Sequence, residues 1–205
     1  MSFLNSLFGG SKKEPTPESG LELHLKLLQS LRIPAIALKQ SRAEQLSRIG
    51  GLPSLPQDVS WPEWKGQPLA FLCQIDLSEI PADCDHLGLP SSGMLYFFYS
   101  QDQEAGGFDP NDKGAWRVIY ARESSLKEAP RTAPEGLKQD CIYREKSIDL
   151  APIETYPDGQ DDRVGDIGLN DRQWDQYFDL CSSVFGGEPA HHLGGYPQPV
   201  QNNDM

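Results

Sequence analysis

Met94-Leu-Tyr-Phe-Phe-Tyr99 sets six aliphatic or aromatic residues in a row, without a glycine, proline or charge among them. Rings and sulfur-bearing chains of this kind pack well on a pleated surface, so the stretch is predicted as a strand. Upstream, Phe71-Leu-Cys-Gln-Ile-Asp-Leu77 is a second strand candidate, and downstream Trp116-Arg-Val-Ile-Tyr120 alternates as a third. The connections carry the breakers. Ser78 to Gly93 holds Pro81, Gly88, Pro90 and Gly93, and Asp102 to Gly114 is an acidic, glycine-rich turn. Consecutive strands joined by loops pair most simply as antiparallel neighbours. The expected class is therefore mainly β (α+β): an antiparallel, partly rolled sheet with long Gly/Pro loops.

Further out, two helices are expected. Leu21, Leu25 and Leu28, with Leu27 and Leu31, keep a 3.6-residue period behind Ser19 as a cap, and Pro34 ends the run. Near residues 171–185, Asn170 or Asp171 caps a second helix, whose face is Trp174, Tyr177, Phe178, Cys181 and Phe185 before Gly186-Gly187. Ala35 to Leu38 suits a strand, while Cys141-Ile-Tyr-Arg144 and Ser147-Ile-Asp-Leu150 each read as an edge strand. Gly50 to Pro68 contains seven glycines and prolines around Trp61 and Trp64, which makes it an ordered loop pinned by its indoles. The closing run from Ala190 is expected to hold no regular element. Residues 1 to 20 read as a flexible arm with an apolar tip, Phe3, Leu4, Leu7 and Phe8, and residues 21 to 205 as one domain.

Composition sets outer limits on function. The chain has 205 residues, 30 Asp and Glu against 18 Lys and Arg, and a formal charge of -12. Such a surface repels phosphate backbones and anionic lipid, which argues against nucleic-acid binding and electrostatic membrane adsorption. It invites a basic protein partner instead. No apolar run approaches the length of a membrane span, and no export signal is evident, so a cytoplasmic location is expected. Cys73, Cys84, Cys141 and Cys181 are scattered without a C-x-x-C pair, and free thiols are the simplest reading. No cofactor is indicated.

Candidate chemistry is sparse. Asp158, Asp161 and Asp162, with Asp166 and Asp171, offer oxygens to a hard cation, but their spacing lacks the alternation of a calcium loop, and a solvated acidic loop explains them. His191 and His192 are adjacent, so they do not easily share one metal; His192 with a carboxylate is the candidate general base of a hydrolase-like enzyme. No nucleophile elbow or phosphate loop accompanies it. More distinctive are two Gly/Pro/aromatic blocks. Gly50, Gly51, Leu52 and Pro53 with Trp61 form one, and Gly194, Gly195, Tyr196, Pro197 and Gln201 the other; both are expected in loops that carry binding.

The blocks Ser47-Arg-Ile-Gly-Gly-Leu-Pro-Ser-Leu-Pro56, Trp61-Pro62, Pro68 to Leu77, Gly93 to Phe98 and His192-Leu-Gly-Gly-Tyr-Pro-Gln-Pro-Val-Gln201 resemble, in this order, the YwqG-like family of bacterial proteins. The resemblance implies a mainly β domain with accessory helices and no established reaction. It also implies a continuation beyond the second block, with another leucine-rich strand, a Gly-Asp-Gly-Gly turn and a second Leu-Tyr-Phe-Phe-like strand, so the chain is expected to be truncated at its C-terminus. By analogy with relatives near toxin genes, it permits an immunity-type role. The function expected is a non-enzymatic binding or protein-interaction module; the alternative is the His192 hydrolase-like enzyme.

Overall fold

The computed structural model describes residues 20–122, 129–186 and 191–197. A 3-10 turn, Leu21–His24, runs into α1, Leu25–Ser30. Nine strands follow: β1 Ile33–Gln40, β2 Arg48–Ile49, β3 Glu63–Trp64, β4 Gln67–Pro68, β5 Ala70–Asp76, β6 Met94–Tyr99, β7 Trp116–Ala121, β8 Lys146–Thr155 and β9 His192–Gly194. Between β8 and β9 lie α2, Asp162–Gly165, and α3, Asp171–Ser183. Strands β3 and β4 make a separate hairpin. The other seven form one curled antiparallel sheet, a half-barrel, in the order β7-β6-β5-β2-β8-β1-β9. The mainly β class and the rolled antiparallel sheet are as the sequence implies.

The three strands read first lie side by side, β5 against β6 and β6 against β7. Because β6 is apolar at every position, both of its faces seek cover. Met94, Tyr96 and Phe98 point into a core with Leu55, Leu69 and Phe71. Leu95 and Phe97 point the other way, into a second core with Ile36, Ile75, Leu77, Ile80 and Ile148. Residues 50–69 form the lid of the first face, and residues 77–89 fill part of the second. A bulge at Phe71/Cys73 puts three β5 residues opposite Phe98 and Phe97. It keeps Phe71 and Gln74 on the lidded face and leaves Leu72 as the extra residue.

A third core is helical. Leu21 and Leu28 meet Tyr156, Val164, Leu169 and Tyr177. Asn170 is the cap of α3: its side chain accepts from Gln173 N while Gln173 Oε1 accepts from Asn170 N, a capping box that satisfies two otherwise unpaired donors. Tyr177 is fully buried and donates to Pro157 O at 2.7 Å, whereas Phe178 of the same expected face is 53% exposed.

Five expectations need correction. The first helix is shorter than three α turns, and β1 opens at Ile33 and runs through Pro34 instead of starting behind it. Near the start of a strand the missing N–H of proline is tolerated. Cys141 ends a 3-10 turn, Gln139–Cys141, and no strand spans Cys141 to Arg144. Ser147 to Leu150 is no edge: it belongs to the ten-residue β8, which lies inside the sheet with β2 on one side and β1 on the other. Finally, the closing segment does hold an element, β9, paired to Ala35–Ala37. Residues 1–19 of the arm, the 123–128 segment, Gly187 and Gln201 lie outside the described residues.

Candidate functional site

The first glycine block is a clasp. Gly50 and Gly51 have φ of 70° and 72°, and a Cβ on Gly50 would lie 2.5 Å from Arg144 O. Their N–H groups donate to Leu72 O and Tyr143 O, locking the chain between β5 and residues 143–145. Beyond them the loop is tied from below. Arg48 Nη2 donates to Leu52 O and Ser54 Oγ, Ser54 N donates to Gln74 Oε1, and Tyr96 OH donates to Ser54 O at 2.6 Å. Arg131 N donates to Pro53 O, and its Nη1 donates to Pro56 O. Arg48 is almost fully buried and pairs with Glu145 at 3.3 Å; burial lowers its pKa and the Glu145 charge acts against that shift. Trp61 donates to Leu69 O and sets its ring edge-on to Phe98, 5.6 Å away. Gly50, Gly51, Leu52, Pro53 and Trp61 thus hold the lid on one face of the sheet.

The second block ties the outer edge to the helical core. Gly194 and Gly195 have φ of 64° and 74°, with Leu87, Thr155 and Ala35 where Cβ atoms would stand. Tyr196 N donates to Thr155 Oγ1, its hydroxyl donates to Leu31 O, and the Arg163 guanidinium lies 5.4 Å from its ring centre. Pro197 borders an open hollow of about 550 Å³ with Asp158, Asp161, Asp162 and Arg163. There Asp161 accepts from Arg163 N, Nε and Nη2, and this pairing holds its carboxyl below the usual range. Asp158 accepts from Gln160 N. Among the described residues no three His, Cys, Asp or Glu side chains are placed to hold a metal ion.

The glycine pairs themselves stand apart, with β8 and β1 between the strands that carry them. What converges is the sequence just before each pair. Ile49, ahead of Gly50, and His191, His192 and Leu193, ahead of Gly194, border one groove of about 400 Å³ on the face of the sheet away from the lid. Leu38, Leu72, Cys73, Ile75, Phe97 and Tyr143 complete it. The bulge explains why consecutive residues Leu72 and Cys73 both line it. Cys73 has no charged neighbour to favour a thiolate, and burial pushes its pKa up to about 12. It is a neutral part of an apolar wall. The sequence did carry a signal for this groove: a strand apolar on both faces, flanked by one with Cys73 and Ile75 two apart.

His192 sits at the rim. Its Nδ1 lies 2.7 Å from Gly194 O, and its ring stacks on Phe185 with centres 5.4 Å apart. Among the described residues no carboxylate pairs with it or hydrogen-bonds to it. The four cysteines are free thiols. No helix among the described residues is long and apolar enough to cross a membrane.

Fold and groove together define a class: a mainly β half-barrel protein with one face lidded and the other partly open. Residues 47–205 match the model of a family described as a domain of unknown function, DUF1963, and the chain belongs to that family. The match begins just before β2, so α1 and β1, which lies between β8 and the edge strand β9, precede it. No curated protein matches the chain.

Proposed function

We propose that this protein is a non-enzymatic, YwqG-like binding module of the cytoplasm, which takes an apolar side chain of a basic protein partner into the groove between β5, β6 and β9. One observation carries the reading: a hollow of about 400 Å³, within the size range of ligand pockets, walled by Leu38, Ile49, Leu72, Ile75, Phe97 and Leu193, with polar groups only at Tyr143 and the two histidines. The Gly/Pro blocks support it as scaffold, since each fixes the backbone one residue after a groove-lining side chain. The charge of -12 draws a basic partner and suits the capture that an immunity-type role requires. His192, engaged with a carbonyl and stacked on Phe185, serves as part of the rim.

The neutral dye N-phenyl-1-naphthylamine tests the groove. Saturable binding with one site per chain is expected, weakened at least tenfold by Leu72→Glu and unchanged by Phe178→Ser, at an exposed α3 residue outside the groove wall. A lysine-rich peptide bearing one tryptophan should displace the dye, and a glutamate-rich peptide of equal length should not. Absence of saturable binding to the folded protein, or equal binding by Leu72→Glu, overturns the reading; equal displacement by both peptides overturns the basic partner.

A further inference from the structure

We propose that β7 is an interaction edge for a second copy of this chain, two copies pairing antiparallel about a twofold axis through Val118. The inference goes beyond the groove reading, because Val118 is not part of the groove wall. At one end of the sheet β7 pairs with β6 alone, and among the described residues nothing pairs with its outer edge. Exposed edges are aggregation templates that proteins ordinarily blunt by brevity, lysines, prolines or bulges. The opposite edge is blunted: β9 has three residues, ends at Gly194 and is followed by Gly195. Strand β7 is not. Its six residues, Trp-Arg-Val-Ile-Tyr-Ala, contain no proline or lysine, its ladder with β6 runs without a register shift, and Trp116, Val118 and Tyr120 are 45%, 52% and 44% exposed.

The strand is also complementary to itself in one register. With Val118 opposite its own copy, Trp116 faces the partner's Tyr120 twice, giving two aromatic cross-strand pairs. Arg117 then faces the partner's Ile119, so the only charge on the strand avoids its copy. This register keeps the same face of both sheets on the same side, which places Trp116, Val118 and Tyr120 of each copy in one continuous apolar strip with Leu95, Phe97 and Tyr99. An axis through Arg117 would set two guanidinium groups opposite each other, and an axis between Val118 and Ile119 would turn one copy's apolar strip to the other side of the sheet. The acidic surfaces of two copies repel, so association is expected to strengthen with salt.

Two measurements test this. Sedimentation equilibrium of the full chain is expected to show a monomer–dimer equilibrium that Val118→Lys shifts toward monomer at least tenfold, with the circular dichroism spectrum and dye binding retained. Under mild oxidation Val118→Cys is expected to cross-link rapidly to its copy, since opposed residues of antiparallel strands lie about 4.5–5.5 Å apart, within disulfide range. Trp116→Cys is expected not to, because the register sets the two copies of that position roughly 13 Å apart. A monomer at every concentration overturns the proposal, as does cross-linking of Val118→Cys no faster than that of Trp116→Cys.

Discussion

The two faces of β6 are built from the same kinds of side chain and are treated differently by the fold. Tyr96 and Phe98 lie under the residue 50–69 lid, at 0% and 2% exposure, with the Tyr96 hydroxyl bonded and the Phe98 ring against Trp61 and Phe71. Phe97 is half-buried beside an open groove. A buried side chain makes dense contacts that the surroundings cannot rebuild after truncation, whereas one bordering a groove already has solvent or ligand space beside it. One face is therefore sealed along the strand, whereas on the other Leu95 is buried in a core and Phe97 borders an open groove.

Substitution separates the two. Phe98→Ala is expected to cost about 3–5 kcal/mol in urea unfolding, the range for large aromatic truncations in a core, while Phe97→Ala should cost about 1–2 kcal/mol. Equal losses would erase the distinction between the faces. The clasp that holds the lid gives the next effect. Gly50→Ala forces a side chain into the left-handed region and against Arg144 O, and about 2–3 kcal/mol of destabilisation is expected. Gly66→Ala, at φ 74° in the β3–β4 turn with no atom within 4 Å, should cost only about 1 kcal/mol. The smallest effect sharpens the open face. The Cys73 thiol is raised from 9.0 to about 12, so alkylation by iodoacetamide should stay slow through pH 9 and climb only above it. Because the folded pKa is the higher, the neutral thiol's contribution to stability is complete below pH 9 and declines as pH rises toward 12. Rapid alkylation at pH 8 would show a wetter groove than the wall residues imply.

The lidded face was legible in the sequence because its signals are local. Six apolar residues from Met94 to Tyr99, bounded by Gly93 and the acidic loop, define β6 almost to the residue. Likewise Asn170 and Gln173, three residues apart, mark the start of α3. Of the groove only the β5 and β6 wall left a signal in the sequence; the rest depends on pairings remote in sequence. Ile148 and Leu150 look like a short edge strand until β1 is known to run alongside them, and Pro152 seems to forbid the ladder that continues to Thr155. His192 to Gly194 becomes a strand only because Ala35–Ala37 offers an edge. The bulge that sets Leu72 beside Cys73 on the groove wall leaves no glycine or proline as its mark. The glycine pairs are legible as backbone positions, since their positive φ angles and the atoms crowding Gly50 and Gly195 leave little room for other residues.

The place of β1 in the sheet bears on how the molecule is made. Its two neighbours are β8 and β9, with Ile33 opposite Thr155 and Ala37 opposite His192, so every ladder it joins closes over a hundred residues or more of chain. Closing such loops costs entropy before any contact rewards it, and folding slows as the mean separation of partners grows. On the ribosome, Ile33 to Gln40 must wait until β8 has emerged, while β5 and β6 can already zip together behind it. The first strand synthesised is among the last to find its place.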